Sequence, residues 1–288
     1  MQSAAILQRH SLPLFFLLTL GLTWLLWVPA AFLLTGDEQA AVSAPLVVVQ
    51  TLGAAMPSLV AVALVRSLYG KQQLRGLFGR VRPWRGDKRW YAAAILLAPL
   101  LAGCSIGIRA WRDEDFAVAP TSPLGELTGE IGVIGLLLTL PLMFLGLLFS
   151  SPILEEFGWR GFALPKLQRR FNALASGCLL GLITGLWQAP LAFALGGESL
   201  LPYFLLAVGT SVLMTWIFNS TGGNLLIAIL FHGSLAVALT PLNPGGPDVV
   251  LPILTWVVVV LVVLRYGARN LADQPRFQWP GGQPVQPA

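Results

Sequence analysis

The chain has 288 residues, 56% of them hydrophobic and only 11% charged. Soluble domains carry about 25% charged residues, so this composition excludes a water-soluble protein and predicts an integral membrane protein. The net charge of +5 comes from 18 Lys and Arg against 13 Asp and Glu, and the placement of those cations accounts for it without a nucleic-acid partner.

Apolar stretches of roughly 20 residues, the length a helix needs to cross the hydrocarbon core, run over 12–35, 42–65, 90–108, 131–153, 173–195, 200–218, 223–241 and 248–264. None alternates with period 2, so a barrel is not expected. The fold class is all-α, a polytopic membrane bundle of about eight transmembrane helices. The first stretch follows Arg9 but is too long for a signal-peptide core, and no small-x-small site ends it, so it is read as a span. After the second stretch, "KQQLRGLFGRVRPWRGDKRW" sets Leu74, Leu77, Phe78 and Val81 at helical spacing among arginines. That pattern predicts a short amphipathic helix on the inner leaflet. The segment 109–130, with "RDEDF" and its prolines, is expected to be an irregular outside loop. Cys104 and Cys178 lie within the third and fifth stretches without a CxxC spacing, and are read as small buried hydrophobes. The single membrane domain covers 1–271, and the Pro-, Gly- and Gln-rich tail 272–288 is expected to be disordered.

Charge placement gives the orientation. With the N-terminus inside, the inside segments hold Arg9, eight cations from Arg66 to Arg89, then Arg160, Lys166, Arg169 and Arg170, then Arg265, Arg269 and Arg276. Only Arg109 and Arg112 of the 18 fall outside. By the positive-inside rule this predicts both termini in the cytoplasm. The expected location is the inner (plasma) membrane of a bacterium, with anionic lipid at the inner surface as one partner.

Charge within the spans is rare, and "SSPILEEFGWRGFALPKLQRR" puts two carboxylates and an arginine at the end of the fourth. Ionisable groups at membrane depth are costly and mark functional sites. Glu156 and Arg160 stand i, i+4 with the acid first, the favourable order for a helical ion pair. Glu155 points about 100° away and is free to act as a base toward the bundle interior. An active site and a salt-bridged helix end both fit this spacing. Of the two histidines, His10 sits in the N-terminal tail, outside any expected site. His232, in "NLLIAILFHGSLAVA", is about seven residues into the seventh span, roughly 10 Å deep. An imidazole there needs a polar partner, and Glu155 is on the same side of the membrane.

Three stretches carry a family resemblance. "EEFGWRGFALPKLQRR" resembles the EExxxR motif of the CPBP (Abi) intramembrane endopeptidases, which include type 2 CAAX prenyl proteases and bacteriocin-processing proteins. "GLITGLWQAPLAF" is similar to their second motif, usually ending Phe-x-x-x-His. "WIFNSTGGNLLIAILFHGSLA" resembles the third, an aromatic stretch, Thr-Gly-Gly, then His-x-x-x-Asn or Asp. The match covers residues 130–242 in the family's order. It implies a bundle of about eight spans with an in-membrane site open to the cytoplasm. There the first glutamate and a motif histidine activate water against a peptide bond. The arginine positions the second glutamate, and the third-motif pair stabilises the oxyanion. Those roles carry over to Glu155, Glu156, Arg160 and His232.

Two positions depart from the pattern. Gln188 stands where the second-motif histidine is expected, with Thr184 in place of the phenylalanine, and Ala236 replaces the third-motif Asn or Asp. An amide can hold water or donate to an oxyanion, which keeps Gln188 a site candidate, but it cannot shuttle a proton. It is also a poor zinc ligand. The resemblance allows a divalent metal such as zinc, with Glu155 and His232 its only candidate ligands, and implies no other cofactor. The expected function is an endopeptidase cutting a membrane-proximal peptide or protein at the cytoplasmic side, through a depleted site. The alternative is a non-catalytic relative that binds a membrane peptide or partner protein. A transporter is disfavoured by the absence of an internal repeat. Glu155, Gln188 and His232 are expected to meet around one polar cavity, with Arg160 reaching Glu156.

Overall fold

Away from water, a backbone must satisfy its own N–H and C=O groups, and a helix does so within one segment. The structure, a computed structural model, describes residues 2–34, 44–83, 86–112, 141–148, 151–194, 199–239 and 249–279, and among them every regular element is helical. The order is α1 (Gln2–Arg9), α2 (Ser11–Leu34), α3 (Ala44–Phe78) and α4 (Arg89–Trp111). Next come α5 (Pro141–Leu148) and α6 (Ser151–Gly158), a π-turn (Trp159–Ala163) and α7 (Leu164–Leu167). The last four are α8 (Ala173–Ala194), α9 (Leu200–Ser220), α10 (Leu225–Leu239) and α11 (Val250–Tyr266).

All eight apolar stretches therefore contain helix. Five of the helices, α2, α3, α4, α8 and α9, are long and apolar enough to cross a membrane, and α5 with the stretch Ser151–Leu167 forms a bent pair that would make a sixth. The protein is an integral membrane protein. The expected eight crossings fall to five or six by this measure because α10 and α11 have only 15 and 17 residues. In α10 the cause is visible. The Thr-Gly-Gly sequence folds as a tight turn, with Gly222 at φ 60° and Gly223 at φ 80°, conformations open to glycine. The Gly223 amide donates to the Phe218 carbonyl (2.8 Å), and Asn224 then caps α10 by accepting from the Ile227 amide (3.2 Å).

Close backbone approach sets the layout around α6. A Cβ on Gly158 would lie 2.4 Å from the Pro57 carbonyl oxygen, so α6 lies directly against α3. Likewise a Cβ on Gly181 would sit 2.6 Å from Val208 Cα, which lets α8 and α9 pack as small-residue membrane helices do. The space between these pairs is filled by aromatics. Trp187 packs tilted against Trp27 (4.7 Å) and edge-on against Trp159 (5.4 Å), and Phe15 meets Trp159 edge-on (5.5 Å). The Trp187 indole donates to Thr23 Oγ1 (2.8 Å), so the apolar cluster leaves this polar handle satisfied.

Some expectations change. The segment after Arg66 is helical but continues α3 beyond a break at Gly70 (φ 82°, ψ 177°). Leu77 is fully buried in the core, while Phe78 and Val81 stay exposed. Cys104 is exposed, not buried. The acidic loop lies mostly in 113–130, outside the described residues, as does 280–288.

The described part of the tail, 272–279, packs where disorder was expected. Trp279 is 3% exposed; its ring meets Phe162 (5.4 Å) and Tyr69 (5.6 Å), and its amide donates to the Pro165 carbonyl (3.2 Å). The Arg80 guanidinium lies over Phe277 (4.7 Å) and Trp279 (5.3 Å) and donates to the Gly161 carbonyl (2.8 Å). Burial lowers its pKa to about 10, which leaves it charged at neutral pH. Two aromatics and an arginine thus outweigh a Pro- and Gln-rich composition and tie the strap to the π-turn.

Candidate active site

Helical spacing in α6 and the π-turn delivers three charged side chains to the interior. Glu155 and Arg160 are each 4% exposed and Glu156 is fully buried. Arg160 Nη1 donates to Glu156 Oε1 at 3.1 Å, the i, i+4 pair expected. The arginine sits in the π-turn, an irregularity common at functional sites. Its Nη2 donates to Ser211 Oγ on α9 (3.3 Å). A guanidinium tied at both ends fixes the carboxylate it holds.

From α10, His232 Nδ1 lies 2.8 Å from the same Glu156 Oε1. Because a carboxylate held by an arginine only accepts, Nδ1 carries the proton and donates it. That bond fixes the ring orientation and leaves Nε2 as the nitrogen available for chemistry. Glu155 is served separately, its Oε1 accepting from Ser151 Oγ one turn earlier on α6. The cluster thus has two halves, a His–Glu–Arg–Ser chain and a Ser–Glu pair.

This differs from the expected meeting in two respects. His232 is hydrogen-bonded to Glu156, not to Glu155, because Glu156 faces α9 and α10 from the helix side that Arg160 shares. Gln188 is exposed and, among the described residues, forms no hydrogen bond to the carboxylates or to His232. On α8 it occupies the arc between two packed faces, Leu180 and Trp187 on one side and Gly177, Gly181 and Gly185 on the other. It lies between those faces yet remains exposed and makes no hydrogen bond to the cluster among the described residues. Thr184, one turn earlier, turns its hydroxyl back to the Gly181 carbonyl (3.2 Å). Ala236 is half-buried one turn after His232 and offers no polar side-chain atom. His10 is exposed.

Other polar residues of the third stretch have structural duties. Asn219 exchanges amide hydrogen bonds with Gln168 (2.7 and 3.0 Å), Asn224 caps α10, and Ser234 Oγ donates to the Ala94 carbonyl (2.7 Å). Ser151 and Ser211 were missed from sequence. Ser151 was findable, since it stands one turn before Glu155; Ser211 belongs to a different helix and carried no signal.

The donor set does not fit zinc. Glu156 Oε1 is shared by a guanidinium and an imidazole N–H while its Oε2 has no hydrogen-bond partner, but no group of three His, Cys, Asp or Glu side chains placed to hold a metal occurs among the described residues. Stable zinc sites use at least three protein ligands.

Comparison with known proteins agrees with the motif reading. Residues 136–238 match the family described as type II CAAX prenyl endopeptidase Rce1-like. The chain is also similar to the CAAX prenyl protease 2 of Methanococcus maripaludis, 31% identical over 102 residues, which is 32% of this chain and 37% of that relative. The chain thus spans little more than a third of the relative's length. The matched segment contains Ser151, Glu155, Glu156, Arg160, Ser211 and His232.

Proposed function

We propose that the protein is an intramembrane endopeptidase that hydrolyses a peptide bond of a membrane-proximal substrate with a glutamate-activated water. The observation that carries this reading is the buried cluster itself, two adjacent carboxylates of which one is bound by Arg160 and His232 and the other, among the described residues, by Ser151. Glu155 takes the proton from water as it attacks the carbonyl carbon. His232 in its imidazolium form, aligned by its Nδ1–H on Glu156, donates its Nε2–H to the developing oxyanion, and the proton on Glu155 passes to the leaving amine. An oxyanion donor of this kind is worth about 100- to 1,000-fold in rate. The similarity to CAAX prenyl proteases suggests a substrate with a prenylated C-terminal segment at the cytoplasmic side.

One specific feature favours a second reading, a non-catalytic binder of a membrane peptide. Gln188 and Ala236 supply neither the second imidazole nor the amide that the motif pattern carries. The test is cleavage of a fluorescence-quenched, prenylated peptide with a C-terminal Cys-a-a-X sequence by the full chain in proteoliposomes. Turnover that disappears in Glu155→Gln supports the peptidase. Equal turnover in both proteins removes it, and peptide binding without turnover supports the binder.

A further inference from the structure

The turn between α1 and α2 and the end of α7 enclose a polar cavity of about 280 Å³, whose lining includes Arg9, Ser11, Lys166, Arg169 and Arg170. It holds several times the roughly 30 Å³ that one water occupies in the liquid, so it can admit a group larger than a single ion. Four of its lining side chains are cationic and none is acidic.

Lys166 forms the back of this cavity and is only 8% exposed. Its Nζ donates to Ser11 Oγ (3.2 Å) and Tyr69 Oη (2.7 Å), beside the rings of Tyr69 (4.5 Å), Phe162 (4.7 Å) and Trp279 (5.0 Å). An ammonium has three donors, and the two hydroxyls take two of them. Hydroxyls and ring faces orient a buried cation without neutralising it. Among the described residues no carboxylate pairs with Arg9, Lys166, Arg169 or Arg170; the ion pairs there join Arg89 to Asp87, Arg160 and His232 to Glu156, and Arg265 to Asp273. A buried charge without a counterion is costly, and here like charges are gathered around it. The arrangement suits an incoming anion. Arg9, Arg169 and Arg170 are exposed at the mouth, and guanidinium forks match phosphate oxygens. Leu12 adds an apolar wall to the same cavity.

We propose that this cavity binds a phosphate-bearing anion, with the Lys166 ammonium at its back and the guanidinium groups of Arg9, Arg169 and Arg170 at its mouth. The ligand is the headgroup of an anionic phospholipid or a free phosphate, which share this chemistry. The location, on the cation-rich side of a membrane protein with an apolar wall alongside, fits the headgroup. The site is separate from the Glu155 cluster and does not depend on the peptidase reading.

The test uses the full chain, delipidated in detergent and titrated with short-chain phosphatidylglycerol, phosphatidylcholine or inorganic phosphate, with binding followed by thermal unfolding and calorimetry. Saturable binding of phosphatidylglycerol that inorganic phosphate does not displace identifies a headgroup site; displacement by phosphate identifies a free-phosphate site. In either case the exposed pair Arg169→Gln with Arg170→Gln should weaken binding at least about tenfold, with the unliganded Tm near that of the parent. The pair Lys71→Gln with Arg75→Gln, exposed but outside the cavity, should leave it unchanged. Absence of binding by both anions, equal binding of phosphatidylcholine, or equal weakening by the two pairs would overturn the proposal.

Discussion

His232 Nδ1 and Arg160 Nη1 reach the same oxygen of Glu156, at 2.8 and 3.1 Å. One carboxylate oxygen therefore couples α10 to the π-turn, and Arg160 carries the coupling on to Ser211 of α9. Glu156 holds three elements in register, and Glu155 beside it is left to react.

Separate roles for the two glutamates predict separate losses. Glu155→Gln should abolish peptide cleavage while the Tm in detergent stays close to that of the parent. Glu156→Gln should lose activity and stability together, since it leaves the Arg160 guanidinium buried without its partner. Breaking a buried pair costs about 3–5 kcal/mol. Calorimetric unfolding of both variants checks this, and equal Tm values for the two would contradict the division.

The imidazole has its own test. His232→Ala should lower kcat by about 100-fold or more with a smaller effect on KM, because the proposed hydrogen bond strengthens only as the oxyanion forms. A change confined to KM would instead make His232 a substrate-binding group.

Gln188 lies between the packed faces of α8, exposed, and makes no hydrogen bond to the carboxylates among the described residues. Gln188→His should therefore raise turnover if a second imidazole completes the water site, and progress curves on the quenched peptide measure it directly. A rate that stays at background in both proteins would favour the binding protein over the peptidase.

Packing between α3 and α6 is expected to be intolerant. Gly158→Ala places a Cβ 2.4 Å from the Pro57 carbonyl oxygen, and overpacking of this kind costs about 1–3 kcal/mol. The expected outcome is a lower Tm with reduced activity, because the same displacement moves Glu155 and Glu156. A parent-like Tm would show that the two helices can separate freely.

Much of the architecture was legible in the sequence because membrane burial leaves a coarse signal. Every long helix overlaps one of the eight apolar stretches, and the i, i+4 spacing of Glu156 and Arg160 gave their ion pair. Long-range pairings were not legible. The choice of Glu156 over Glu155 by His232 depends on how α10 is rotated against α6, and the contact of Arg160 with Ser211 on how α9 crosses them. Neither rotation leaves a local pattern. The strap was hidden for a different reason, since prolines and glutamines dominate its composition while Phe277 and Trp279 supply its contacts.

Those strap residues emerge from the ribosome after all the described helices, yet Trp279 closes over Phe162 in the π-turn next to Arg160. The fourth stretch thus waits for Phe277 and Trp279 before its floor is complete. Reporter fusions joined within 271–279 should disturb a half-built site, whereas a join beyond 279 should spare it.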